Sequence, residues 1–126
     1  MRVAAVISDL MLFSRIESAA AAANASLMRL DSPGGLMGSH IDLAMVDWSA
    51  REPGWADDLA AWCAGAPDAR LILFGRHTDL EAHADARAAG LGPMWARSKL
   101  LAALASLVAD SSIVGSRAEA PPSAAR

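Results

Sequence analysis

Apolar residues come in two rhythms along this chain, short unbroken runs and longer helical stripes, and the two alternate from one end to the other. Val3 to Ile7 is unbroken, as a strand covered on both faces requires. From Asp9 the spacing turns helical: Leu10, Phe13, Ile16, Ala20 and Ala23 share a stripe, and Asn24 suits a C-terminal stop. Ser26 to Leu30 predicts a second strand. The next ten residues, Asp31 to His40, hold one proline and three glycines, so a second helix is brief or absent. Ile41 to Val46 predicts the third strand, ending at Asp47, and Ser49 with Glu52 forms a capping box ahead of a helix carrying Trp55, Leu59 and Trp62. Ala69 to Phe74 is the fourth strand; Thr78 and Glu81 form a second capping box, and that helix stops at Gly90. Met94 to Ala96 is a short fifth strand, and Ser98 caps a last helix with the stripe Leu101, Leu104 and Leu107 or Val108. From Asp110 serine, proline and alanine dominate without periodicity, which predicts a disordered tail or linker over 110–126.

Strands alternating with helices imply a parallel sheet with helices on both faces, because right-handed crossovers return each helix to the sheet. The fold class is therefore α/β: a five-stranded parallel sheet of order 2-1-3-4-5, flavodoxin-like, in one domain over 1–109. Composition narrows the rest. A chain of 126 residues, 54% apolar with only 5% aromatic, buries roughly two thirds of its unfolded surface in one core. No apolar run approaches the ~20 residues of a membrane span, and the start carries no signal-peptide pattern, so a cytoplasmic location without membrane attachment is expected. Cys63 is a lone cysteine within the pattern Trp55, Leu59, Trp62 and reads as a small buried hydrophobe. The net charge is −3 and the arginines are scattered, which speaks against direct nucleic-acid binding.

In open sheets of this order, ligands gather beyond the carboxyl ends of the strands, near the point where the strand order reverses. Asp9 follows strand one there, Asp47 follows strand three, Phe74-Gly75-Arg76-His77 follows strand four, and Arg97-Ser98 follows strand five. Two carboxylates at such an edge can hold a divalent cation, and one can accept a phosphoryl group once the metal offsets its charge. The plainer reading is that Asp9 and Asp47 cap turns or pair with Arg97 or Arg76. On these residues the chain, over about 2–109, resembles the bacterial response-regulator receiver domains of the CheY-like superfamily. The resemblance implies that Asp47 is phosphoacceptor-like and that Asp9 and Asp47 form the acidic pocket.

The departures from that family are as specific as the matches. Ser8 stands where the family has a second acidic residue, Phe74 or Gly75 where strand four ends in Thr or Ser, and Arg97 where a lysine follows strand five. The one lysine, Lys99, lies two residues later, and Met94 stands where the family has its switch aromatic, with Trp95 adjacent. Loss of a carboxylate weakens a metal site, loss of the hydroxyl removes the group that follows the phosphoryl oxygen, and a guanidinium is a planar fork where an ammonium is compact. His77 beside Asp9 and Asp47 is a weaker candidate for a two-carboxylate, one-imidazole metal site, and Gly34-Gly35 lacks the ending of a phosphate loop. Neither a Gly-x-Ser-x-Gly elbow nor a Cys-x-x-Cys pair occurs.

Two functions follow. One is a non-enzymatic pseudo-receiver that needs no cofactor and docks on a protein partner or a second copy through the face made by the fourth-strand helix, strand five and the last helix. Met94 and Trp95 are expected to be exposed on that face. The alternative is a two-component receiver taking phosphate from a histidine kinase onto Asp47, with Mg2+ held by Asp9 and Asp47.

Overall fold

The computed structural model describes residues 1–109, and the expectation of a disordered tail falls on residues outside these. Five strands form one all-parallel sheet in the order β2-β1-β3-β4-β5. They are β1 (Arg2–Val6), β2 (Ser26–Leu30), β3 (Leu43–Asp47), β4 (Arg70–Gly75) and β5 (Met94–Ala96), interleaved with α1 (Leu10–Ala22), α2 (Trp55–Gly65), α3 (Leu80–Ala88) and α4 (Arg97–Ala109). Short 3-10 turns at Pro33–Leu36 and Trp48–Ala50 complete the path. The brief second helix is thus the proline-led turn at Pro33–Leu36.

The unbroken apolar runs are explained by two core layers. Successive side chains of a strand point to opposite faces. Ala4, Val6, Ala44, Val46, Leu71, Leu73 and Met94 enter one layer with Trp48 and with Trp55, Leu59 and Trp62 of α2. Val3, Ala5, Leu43, Met45, Ile72, Phe74 and Trp95 enter the other with Leu12 and Ile16 of α1 and Leu100, Leu104 and Leu107 of α4. Cys63 is buried in the first layer. Among the described residues no helix is long and apolar enough to cross a membrane.

Several local expectations are corrected. Ser49 and Glu52 do not form a capping box: α2 starts later, at Trp55, behind Gly54 at φ +95°, with no side-chain cap. Gly54 permits that left-handed turn at little cost, and the Ser49 hydroxyl is engaged elsewhere. The cap of α3 is Asp79 rather than Thr78, its carboxylate accepting from the Ala82 amide at 3.0 Å. Ser98 lies inside α4, which already begins at Arg97. Asn24, at φ +57°, does follow α1 in the left-handed region, a conformation asparagine tolerates better than most residues. The clearest correction concerns Met94 and Trp95. They are only 3% and 2% exposed, because the alternation of β5 sends one into each core layer, and neither can be presented to a partner.

Candidate functional site

The carboxyl edge of the sheet brings Asp9, Asp47 and Arg97 together. Asp9 is set by α1, whose N-terminus it caps: its Oδ1 accepts from the amides of Met11 at 3.0 Å and Leu12 at 3.1 Å. This satisfies two amides that have no partner within the helix and leaves Oδ2 facing Arg97 Nη1 at 3.4 Å. Asp47 is the last residue of β3, paired in register with Phe74 of β4. Its Oδ2 lies 3.7 Å from Arg97 Nη2. Arg97 is placed by the shortness of β5: the strand ends at Ala96, opposite Gly75, and α4 starts at once. One planar guanidinium thus bridges both carboxylates, with Lys99 two residues further into α4.

Burial shapes the electrostatics. The Asp47 side chain is 9% exposed, and its Oδ1 and the Arg97 Nε are buried without hydrogen-bond partners. Burial pushes the Asp47 carboxyl up from its ordinary value of 3.8. Arg97 and the Ser49 and Ala50 amides oppose that rise without cancelling it, and Asp9 adds to it. Taking a carboxylate out of water disfavours its charged form.

The other expected residues fall into place unevenly. Ser8 is exposed and lines a small pocket of about 120 Å3 with Asp47, Glu52 and Asp31. Phe74 is wholly buried among the residues packed under α1 and α4, so it faces away from the pocket. Gly75 offers no side chain, and a Cβ there would stand 2.3 Å from Ser49 Oγ and 2.9 Å from Met94 Sδ. Ser49 therefore fills the volume in which a side chain ending β4 would sit. His77 is exposed, and its carbonyl faces His83 Nε2 at 3.1 Å. Arg76 lies 4.0 Å from Asp79, leaving the acidic pair to Arg97.

The positive charge that faces the two aspartates comes from the chain itself. Among the described residues no group of three His, Cys, Asp or Glu side chains could hold a metal, and the guanidinium already faces the Oδ2 atom of each aspartate. The His77 metal site is therefore not assembled. Sequence reasoning missed three participants that follow Asp47: Trp48, Ser49 and Arg51. Arg51 bonds Asp85 on α3 through Nε at 3.1 Å, the Trp48 carbonyl through Nη1 at 3.1 Å, and lies 5.5 Å over the Trp48 ring. Their partners lie up to 34 positions away in sequence, beyond the reach of any local pattern.

Sheet order and helix placement define the flavodoxin-like fold of response-regulator receiver domains. The CheY-like receiver domain protein of Methanospirillum hungatei JF-1 superposes with a TM-score of 0.64 at 14% identity, over 85% of this chain and 92% of that one. The receiver domain of the Francisella response regulator 1452 gives 0.62 at 12%, and a Thermotoga maritima response regulator 0.61 at 15%, each over the same shares. No protein-family model matches the sequence, and no curated protein is similar to it.

Proposed function

We propose that this chain is a pseudo-receiver, a signalling module that works by binding proteins and turns over no substrate. The observation that carries the reading is Arg97: a single guanidinium faces Asp9 Oδ2 at 3.4 Å and Asp47 Oδ2 at 3.7 Å, supplying internally the positive charge that a metal and a lysine supply together in a working receiver. With Gly75 ending β4, no strand-four hydroxyl follows a phosphoryl group. Binding independent of phosphorylation is the consequence, with a protein partner or a second copy docking on the α3–β5–α4 side. Met94 and Trp95 lie beneath that surface and support it from within. A groove of about 460 Å3 between Arg76, His77 and Thr78 on one side and Arg97, Ser98 and Leu101 on the other opens on this side.

One observation favours the alternative, in which a histidine kinase phosphorylates Asp47 with Mg2+ held by Asp9 and Asp47. Asp47 Oδ1 has no hydrogen-bond partner, and Asp47 lines a pocket with the exposed Ser8. Trp48 reports on the choice. A titration with magnesium and then beryllofluoride, read by tryptophan fluorescence with Asp47→Ala as control, is expected to leave the signal flat at millimolar magnesium. A change present in the parent and lost in the variant restores the phosphorylatable receiver.

A further inference from the structure

The turn that follows Asp47 is fastened to α3 and to the connection leading into it at every one of its polar side chains. The Trp48 indole is buried, and its Nε1 donates to the Ala82 carbonyl at 3.0 Å. Ser49 Oγ accepts from the Arg76 amide at 3.1 Å. The Asp79 carboxyl is held below its ordinary value first by the Ala82 amide it caps, with the Ser49 hydroxyl and then Arg51 and Arg76 adding to the effect. Ser49 thus stands between the Arg76 amide and the capping residue of α3. Arg51 closes the set, reaching Asp85 two turns along α3 from that cap and tying back to the Trp48 carbonyl and ring.

Gly75 completes the fit. A Cβ at that position would overlap Ser49 Oγ, so the glycine of β4 and the serine of the neighbouring turn occupy a single packing space. A hydroxyl carried on β4 could shift with the pocket. A hydroxyl on Ser49 lies against the Gly75 backbone and is bonded by the Arg76 amide, so it is tied to the β4–α3 connection.

We propose that the Trp48–Arg51 turn is a lock that holds α3 and the β4–α3 connection in one position whatever the state of the Asp47 pocket. The lock deepens the pseudo-receiver reading and rests on it, because it explains how the α3 part of the binding side stays preset. Physically, the pocket and α3 are joined by a short turn anchored at three side chains, and a shift of α3 would require breaking the indole, serine and guanidinium contacts together.

Hydrogen exchange followed by mass spectrometry on the full chain tests this. Relative to α1 and α4, exchange across residues 76–88 is expected to be the same in the parent and in Asp47→Asn, because a change in global stability moves all the elements together. In Ser49→Ala/Arg51→Ala the same segment is expected to exchange about tenfold faster or more, the scale of two lost side-chain bonds, with α4 unchanged, and to respond now to Asp47→Asn. If the double variant loses its fold, Arg51→Ala alone is read in the same way. Unchanged exchange in the clamp variant overturns the lock, as does acceleration spread equally over α1 and α4, or an α3 that responds to Asp47→Asn out of proportion to α1 and α4. None of these readings uses a phosphate analogue, so a beryllofluoride response in the parent strikes the pseudo-receiver reading separately.

Discussion

Replacing Asp47 by asparagine should stabilise the fold at neutral pH and change little in acid. The Asp47 side chain is 9% exposed, its Oδ1 has no partner, and its Oδ2 faces Arg97 Nη2 at 3.7 Å. Holding that carboxylate ionised out of water costs about 1 to 3 kcal/mol more than holding a neutral amide in the same place. Set against this is the ion pair with Arg97, which is 39% exposed; such a contact is worth about 0 to 1 kcal/mol after solvent screening. Asparagine keeps the shape and removes the charge, and Arg97 retains Asp9 at 3.4 Å. The net gain is about 1 kcal/mol, or about 4 °C in Tm for a domain of this size. The pH dependence follows from the raised carboxyl. Between its ordinary value of 3.8 and its higher folded value, the native state binds more protons than the unfolded one, so the parent loses stability as pH rises through that window. Below 3.8 both states are protonated and the two proteins converge. Urea melts of parent and Asp47→Asn at pH 3.5 and 7, read by tryptophan fluorescence, give the difference with all other titrating groups cancelled. A variant less stable than the parent at pH 7, or a difference independent of pH, would refute the reasoning.

Three further outcomes follow from the same geometry. Arg97→Ala leaves Asp47 buried without its cation and should lower stability by about 1 to 2 kcal/mol at pH 7; thermal melts should then become magnesium-dependent, whereas those of the parent are expected to be insensitive to magnesium. Gly75→Ser pushes a Cβ against Ser49 and should cost about 1 to 3 kcal/mol of overpacking, much of it recovered in Ser49→Gly/Gly75→Ser, so a double-mutant cycle of chemical melts should report strong coupling. Asp79→Ala removes the α3 cap; because the Asp79 carboxyl is held low, its contribution is present at neutral pH and fades as pH falls through the ordinary carboxylate range, so parent and variant melts should approach one another in acid.

Much of the fold was legible because the sheet is covered on both sides. The runs at residues 26–30 and 94–96 coincide with β2 and β5, and the other three strands shift by one or two positions. What escaped was local chemistry decided by distant partners. Ser49 and Glu52 have the spacing of a capping box, but Pro53 and Gly54 delay the helix, and Ser49 bonds Arg76, 27 positions on. Met94 and Trp95 read as surface residues because a three-residue strand carries too little alternation to show that both its faces are covered. In the site, Asp9, Asp47 and Arg97 were legible from where the strands end. The plainer reading was also partly realised, since Asp9 is a helix cap and both aspartates meet Arg97. The lock was not legible, because neither the need for glycine at 75 nor the Arg51–Asp85 contact leaves a pattern in neighbouring residues.

The most direct test of the central claim is chemical. Incubate the protein with phosphoramidate and magnesium, and weigh it intact by mass spectrometry beside Asp47→Asn. The expected result is an unmodified chain in both, since Arg97 holds the acidic pair. A parent that gains one phosphoryl group, labile to hydroxylamine and missing from the variant, would contradict the account and make Asp47 a working acceptor.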